Sequence, residues 1–468
     1  MAGSCRRKFG DVADRVGAPR LGLPVTEERR QERAAPPLGP VGSIAAQPWM
    51  TARESRAVVT ALAVGGTEVR FIGGCVRDAI IKRPVRDIDI AVPLPPDRVM
   101  QLLTGAGIKV IPTGIEHGTV TAVVGPGVFE ITSLRVDVET YGRHARVAFT
   151  DDWQADAARR DFTINALSAT PDGTVYDYFG GLEDLSHGRV RFVGSPGARI
   201  QEDRLRLLRF FRFYAHYGRP PPDEEALAAC REHARGLNVL SGERVRVEIF
   251  RTLMAPDPAD VFQLMQGLGV LAHVLPEARS VGRLRIMSWL DSRAIRLESV
   301  KPEPVRRLAA LIETDAAGAA AIAERLRLSC AQSARLETMA AAAWDVSPDA
   351  GGRALRRALH RLGRDGVRDL LLLQWSGERA INPRLGAGRT AEWIDQLHAV
   401  DAWQPVPFPL RGRDALALGV PAGPAVGAAL KAVETWWEEE DYCPDYNACL
   451  ERLKAVVEAG TQSSNGPS

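Results

Sequence analysis

The stretch "RDIDIAV", residues Arg86–Val92, decides how the first half of this chain is read. Two aspartates, Asp87 and Asp89, interrupt an apolar run. Asp is a poor strand former, and a buried carboxylate without a partner is costly. Residues two apart on a strand point to the same face. Asp87 and Asp89 therefore project together, while Ile88 and Ile90 face a core. Neighbouring carboxylates raise each other's pKa, and a divalent cation reverses that penalty. Oxygen-only donors suit Mg²⁺, which keeps waters and shares its shell with substrate phosphates. Taken alone, D-x-D also fits a surface strand or a helix cap.

The neighbouring sequence narrows this. Upstream, a strand-like "VRFI" ends at Gly73-Gly74 and is followed by a helical "CVRDAIIK". A glycine pair between strand and helix lets backbone amides approach an anion, and Arg77 can add a charge-assisted phosphate contact. An ordinary tight turn is the other reading. The spacing lacks G-x-G-x-x-G, which disfavours a Rossmann dinucleotide site. Downstream, a third acid, Glu130, sits in the strand-like "VFEITSLR". Three carboxylates suit two-metal phosphoryl or nucleotidyl transfer.

The chain has 468 residues, 45% of them hydrophobic, too long for one ordinary core. It contains no apolar run of the ~18 to 20 residues that a membrane span needs. The N-terminus is Arg-rich without an apolar signal segment. Six cysteines lie scattered, without zinc-type spacing, so a reducing cytoplasm is expected. Net charge is only +2, and of 60 basic residues six are lysine, a bias that follows from GC-rich coding. Individual arginines therefore carry weight only through their spacing.

Residues 1–45, charged and then Pro/Gly-rich, are expected to be a disordered extension. From about 66 to 192, "EVRFIGG", "VRDIDIAV", "GTVTAVV" and "VFEITSL" read as strands alternating with helical segments, including "DWQADAARRDFTINALS". Past Gly197 helical periodicity takes over. The fold class is α+β, divided into a head at 46–190, a helical neck at 191–285, a helical body and tail at 286–458, and a disordered end at 459–468.

"FIGGCVRDAIIKRPVRDIDIAV" resembles the G-G-x-V-R-D…D-x-D signature of class II tRNA nucleotidyltransferases and bacterial poly(A) polymerases. These belong to the DNA polymerase β-like superfamily. Four further blocks follow in the family's order: "RRDFTINALS" (159–168), "VYDYFGGLEDL" (175–185), "EDRLRLLRFFRF" (202–213) and "SGERVRVE" (241–248). Together they span roughly residues 66–280, and "FEITSLRVDVETYGRHARVAFTDDWQADAARRD" is similar to the CCA-adding enzymes of bacteria and mitochondria.

The resemblance implies a polymerase β-like catalytic head followed by all-α neck, body and tail. It implies that Asp87 and Asp89 bind two Mg²⁺ ions, with Glu130 the third acid. Gly73, Gly74 and Arg77 would line the triphosphate site. Arg160 and Asp161 resemble the pair that reads the ribose 2′-hydroxyl, supported by Asn165. Read as residues only, "RRDFTINAL" is also a charged helix start followed by core.

Asp203 and Arg206, three apart on a predicted helix, share a face. Asp accepts and Arg donates hydrogen bonds. Cytosine and adenine each present an amino donor beside a ring-nitrogen acceptor, whereas uracil and guanine present the reverse. One Asp/Arg pair can thus accept C and A without a template. A plain i,i+3 salt bridge is the other reading. Arg209 and Arg212 continue the helix toward phosphate or brace the pocket. Glu243, Arg244 and Glu248 resemble the motif that braces the base-reading helix.

The expected reaction is attack of a tRNA 3′-hydroxyl on the α-phosphate of CTP or ATP. His117 and His144 are read as loop residues. "ETYGRHARV" is read as a mobile loop with Arg143 a contributor to the switch from C to A. Arg353, Arg357, Arg361, Arg364 and Arg368 recur at helical spacing and suit tRNA phosphates, or a solvated face. "LRGRDALALGVPAGPAVGAAL" (410–430) resembles the tail element of related enzymes, with Gly412, Asp414 and Gly419 as candidates. Poly(A) polymerases carry a basic G-R/K-R/K-F block after the metal strand. Here that region reads "IKVIPTGIEHGTVTAVV", which favours CCA addition over poly(A) synthesis. Enzymes adding only C or only A, and a non-catalytic RNA-binding protein, are the other readings.

Overall fold

The computed structural model describes residues 39–141 and 144–464, with the side chains of 137–146 and 460–464 left out. Among the described residues ten strands form: β1 (Pro40–Ser43), β2 (Arg70–Ile72), β3 (Ile88–Val92), β4 (Lys109–Gly114), β5 (Thr119–Val124), β6 (Gly127–Ser133), β7 (Arg135–Tyr141), β8 (His144–Phe149), β9 (Ser168–Ala169) and β10 (Thr174–Tyr176). Eight of them make one mixed sheet in the order β1-β10-β9-β2-β3-β6-β5-β4, and β7-β8 make a separate hairpin. The central pair β3 and β6 is parallel; β2 and β5 flank it antiparallel.

Period-2 alternation builds this head. In β6, Phe129 and Ile131 are buried while Glu130 between them is exposed. In β3, Ile90 is buried and Asp89 half-buried, so the acids and the core side chains take opposite faces, as the strand period requires. Phe71, Ile90, Val120, Phe129 and Ile131 pack under helices Arg53–Leu62 and Pro96–Gly105.

Past residue 200 all regular structure among the described residues is helical. The neck helix Leu205–Tyr217 buries Leu207, Leu208, Phe210, Phe211 and Phe213. It packs against the brace helix Gly242–Leu253, which supplies Val245, Ile249 and Leu253. A single apolar core continues from the head to Val400. A second core, around Val433, Trp437, Tyr442 and Leu453, closes the tail. The 286–458 unit expected from sequence therefore holds two cores.

Four expectations are corrected here. The extension does not reach residue 45: Pro40–Ser43 pair with β10, and Ile44 N–H donates to the Gly173 carbonyl at 2.9 Å. Residues 1–38 lie outside the described part. The helix-like "DWQADAARRDFTINALS" is α-helical only over Trp153–Ala158, with one 3-10 turn at Thr163–Asn165, because Asp161 and Thr163 bond to the opposing Val193 and Arg191 backbone instead. "ETYGRHARV" forms strands β7 and β8, with Arg143 outside the described residues and the His144 side chain undescribed. The terminal helix Tyr446–Ser464 runs past residue 459, where disorder was expected. Among the described residues no helix is long and apolar enough to cross a membrane.

Candidate active site

Asp89 and Glu130 are direct partners in the parallel register of β3 and β6, so their carboxylates rise from the same face of the sheet. Asp87 stands just before β3 and is exposed. Burial first, then Glu130 and Asp87, push the Asp89 carboxyl up to about 6 against the opposing pull of Arg160 and Arg77. This is the crowding that a divalent cation relieves. Among the described residues, however, no three metal-ligating side chains converge into a ready-made cluster. The three acids expected to form a metal triad are therefore not gathered into one: Asp89 and Glu130 share a face of the sheet, and Asp87 stands exposed just before β3.

Gly73 links β2 to the helix Gly74–Ile80 with φ +68°, and its N–H donates to the Leu167 carbonyl at 2.9 Å. A Cβ there would lie 3.3 Å from an Arg160 guanidinium nitrogen. Glycine is needed both for the backbone sign and for this close approach. One at Gly74 would lie 3.7 Å from Arg77.

Arg77 is buried and heavily engaged. It donates to Asp78 at 3.0 Å through both Nε and Nη2, to Asn165 Oδ1 at 2.5 Å and to Tyr217 OH at 2.7 Å. It ties the head to the neck helix rather than offering a free triphosphate contact. Arg160 is positioned by Asp156, at 3.2 Å. Asp161 is a hub. Its Oδ1 accepts from Phe162 N–H at 2.9 Å and Asn165 Nδ2 at 3.0 Å. Its Oδ2 accepts from Arg209 Nε at 2.7 Å and Nη2 at 2.5 Å. A carboxylate has about four acceptor positions, so little remains for a ribose hydroxyl. Burial would raise this carboxyl, but Arg209, Asn165 and Arg206 outweigh it and hold it below the ordinary range.

The base-reading pair also differs from expectation. Asp203 is not on the helix: it is the extended residue ending Pro196–Glu202, ahead of the neck helix. Its Oδ1 accepts from Leu205 N–H at 3.1 Å, and its Oδ2 accepts from Arg244 at 2.7 Å. Arg206 bonds Glu202 instead of Asp203 and donates to the Arg159 carbonyl at 3.3 Å. The salt-bridge reading of Asp203 and Arg206 therefore fails. Each is held by a third residue, which leaves the pair separately presented. The bracing role expected of "SGERVRVE" has a concrete form in Arg244. Glu248 lies beside Arg212 at 3.0 Å, while Glu243 is exposed.

Sequence reasoning missed the residues that position others: Asp156, Tyr217 and Glu202. An acid four residues before Arg160 was a usable signal for Asp156. Nothing local pointed to Tyr217, 140 residues from Arg77. His117 ends the turn between β4 and β5.

The arginine stripe is not a free basic face. Gly363, at φ +70°, breaks the helix Gly351–Ile381 that carries it. Arg353 donates to the Glu439 carbonyl, Arg361 pairs with Glu438 at 2.6 Å, and Arg364 donates to the Asp401 carbonyl at 3.4 Å. Arg368 pairs with Asp365 at 2.6 Å and Asp401 at 2.8 Å. Only Arg357 of the five makes no side-chain hydrogen bond or ion pair among the described residues. In the tail, Asp414 accepts from Arg411 N–H at 2.6 Å and Tyr446 OH at 3.0 Å, a capping role, with Gly412 opening that short helix. Gly419 turns just after it at φ +82°.

Residues 69–191 match the family model "Poly A polymerase head domain", and residues 222–281 match "Probable RNA and SrmB- binding site of polymerase A". The chain is 34% identical over 385 residues to the mitochondrial CCA tRNA nucleotidyltransferase 1 of Danio rerio, covering 80% of this chain and 84% of that one. It is 38% identical over 203 residues to the CCA-adding enzyme of Streptococcus pyogenes, covering 42% and 49% of the two chains. The structure of the Bacillus stearothermophilus CCA-adding enzyme in complex with CTP superposes with a TM-score of 0.69 at 25% identity, covering 88% of this chain and 99% of that one. The Thermotoga maritima enzyme, complexed with tRNA, shares the fold at a TM-score of 0.56 and 17% identity, covering 89% and 100%. With paired acids on β3 and β6, a glycine turn against Arg160 and a braced neck helix, this chain belongs to the CCA tRNA nucleotidyltransferase family, enzymes that add CCA to tRNA.

Proposed function

We propose that this enzyme adds C, C and A to the tRNA 3′ end from CTP and ATP, one chain doing all three steps and releasing pyrophosphate. The observation that carries this is continuity between two places. Asp89, beside Glu130 on the sheet, lies in the field of Arg160, and Arg160 runs on through Asn165, Asp161 and Arg209 to the neck helix that bears Arg206, with Asp203 at its start.

Asp87 and Asp89, with Glu130 beside them, would hold two Mg²⁺ ions. When bound, these supply charge neutralisation at the transferring phosphoryl group and activation of the attacking hydroxyl. The raised Asp89 carboxyl and the oxygen-only donors support that fit. The chain's own residues do the rest. Gly73 and Gly74 let the triphosphate approach the backbone, and Arg160 stands beside them. Asp161 positions Arg209 and Asn165 rather than reading the ribose itself. Asp203, aimed by Arg244, accepts from the base amino group, and Arg206 donates to the ring nitrogen. Uracil and guanine would set donor against donor and acceptor against acceptor, which costs more than a missing bond.

We also infer a reducing compartment, the cytoplasm, because Cys75, Cys230, Cys330, Cys443 and Cys449 are all unpaired thiols. The body and tail would hold tRNA, with Arg357 the stripe residue left available.

The test is extension of a tRNA transcript lacking its last three nucleotides, with Mg²⁺ and CTP alone, ATP alone, or both. Two added residues with CTP and a third only when ATP is present support the reading. A long ladder with ATP alone points instead to poly(A) synthesis. Asp87→Ala should be silent throughout.

A further inference from the structure

Beyond Arg209 the neck helix continues to Tyr217, and its far half borders a cavity of about 380 Å³ against the end of the brace helix. None of Asp87, Asp89, Glu130, Asp203 or Arg206 lines it. Arg77 stands on its wall, already engaged with Asp78, Asn165 and Tyr217.

The cavity carries three cations against two paired acids, so its charge is only partly spent. Arg212 is only 8% exposed, yet its buried Nε makes no hydrogen bond among the described residues. Its Nε lies 3.0 Å from Glu248 Oε2, but that oxygen too is buried without a hydrogen bond. Proximity without a formed bond leaves a buried guanidinium under-satisfied, and such groups are costly unless something completes them. Burial pushes the Arg212 pKa down to about 10, with Glu248 opposing and Arg209 and Arg251 adding to the fall. Arg251, also on the wall, is exposed and makes no side-chain hydrogen bond or ion pair among the described residues. The acids nearby are Glu248 and Asp78; Asp78 is taken by Arg77 and Tyr217. His216 bonds the Arg251 carbonyl through Nε2 at 2.8 Å, and burial holds its pKa down, so it adds no fixed charge.

The remaining wall is largely aromatic and apolar. Phe213 is already covered by Arg212 and Arg77 at 4.6 and 5.3 Å from its ring centre. Phe250 and Met254 face the cavity beside them. Cations on one side and an aromatic wall on the other match a phosphate joined to a stacking ring.

We propose that this cavity is a second nucleotide site, separate from the catalytic one. It takes a phosphate on Arg212 and Arg251 and a base on Phe250. A free nucleoside monophosphate and one nucleotide of an RNA strand share this chemistry.

The test titrates AMP calorimetrically into the full-length protein with the catalytic site filled by saturating CTP. AMP should still bind, and Arg251→Glu should weaken it by about tenfold or more, as loss of a charge-assisted contact predicts. Arg251 is exposed, so the variant should fold normally. Phe250→Ala should weaken AMP but not inorganic phosphate. In parallel, Arg251→Glu is assayed for tRNA extension. A raised tRNA KM with unchanged CTP KM assigns the site to an RNA nucleotide; an unchanged tRNA KM with AMP binding lost assigns it to a free nucleotide. Absence of AMP binding beside CTP, together with an unchanged tRNA KM, overturns the proposal. Inorganic phosphate binding as tightly as AMP overturns the nucleotide assignment. Because binding is read directly, failure here leaves CCA addition untouched.

Discussion

Asp161→Asn removes one charge from the joint between head and neck while keeping the side chain's shape. The carboxylate receives four donors, two of them from Arg209 at 2.7 and 2.5 Å. An amide can still accept from Phe162 N–H and Asn165 on one side. On the other it turns N–H groups toward a guanidinium, so donors face donors. Removing one partner of a buried ion pair costs about 3–5 kcal/mol. The Arg209 side chain is 30% exposed, so water recovers part of this, and the expected loss is about 2–3 kcal/mol. Because one core runs from the head to Val400, that corresponds to a fall in Tm of roughly 2–4 °C, read by circular dichroism. The pH dependence has a definite sign. The folded carboxyl lies below its unfolded value, so its contribution is present above about pH 4 and fades as pH falls through the folded value. The gap between wild type and variant should be flat from about pH 7 to pH 5 and close only in stronger acid. Adding Arg209→Gln should restore part of the loss, since removing both partners is milder than stranding one. A change below about 0.5 kcal/mol, the range of an ordinary surface substitution, or a gap that already closes near neutral pH, would refute the hub.

Four further outcomes follow from the same geometry. Gly73→Ala forces a side chain into φ +68°, with its Cβ 3.3 Å from Arg160; stability should fall by about 1–2 kcal/mol and kcat/KM with it, measured by melting and by CTP incorporation. Arg244→Ala releases Asp203, so KM for CTP and ATP should rise roughly 10- to 100-fold, the worth of one hydrogen bond to a charged group, and misincorporation of UTP should become measurable. In the body, Asp291→Ala strands Arg307, which is fully buried and also bonds the Leu253 and Ala255 carbonyls, and unfolding in urea should show a loss of about 3–5 kcal/mol. Asp89→Asn should lower the extension rate by about 10³-fold with Tm unchanged or raised, and excess EDTA should silence the wild type until Mg²⁺ is restored.

Much of the head was legible because its strands obey a period of two and its motifs are local. "VRDIDIAV" and "VFEITSL" became β3 and β6, and the acids fell opposite the core. Short strands escaped notice: β9 has two residues and β10 three, too few for any alternation to register. The β1 strand hides in a Pro/Gly-rich segment and exists only because β10 offers it a partner. The Asp203–Arg206 face was misplaced for a related reason. Helical spacing predicts a shared face, but the Asp203 side chain accepts from Leu205 N–H two residues on, a local turn that holds its own backbone extended and outside the helix.

The arginines repeat this on a larger scale. Their three- and four-residue spacing is a property of the chain, and helix is there on both sides of the break at Gly363. Whether each guanidinium is free for phosphate depends on acids and carbonyls 33 to 86 positions away, such as Asp401, Glu438 and Glu439. The sequence by itself determined the secondary structure of the head's centre, the sheet face shared by Asp89 and Glu130, and the family, because periodicity and side-chain type are local. Tertiary structure alone decided which cations stayed unpaired, which carboxylate became a hub and where the Arg212 Nε was left without a formed hydrogen bond. Ion pairing and burial are settled by whatever the fold brings within a few ångströms, and no spacing along the chain encodes that distance.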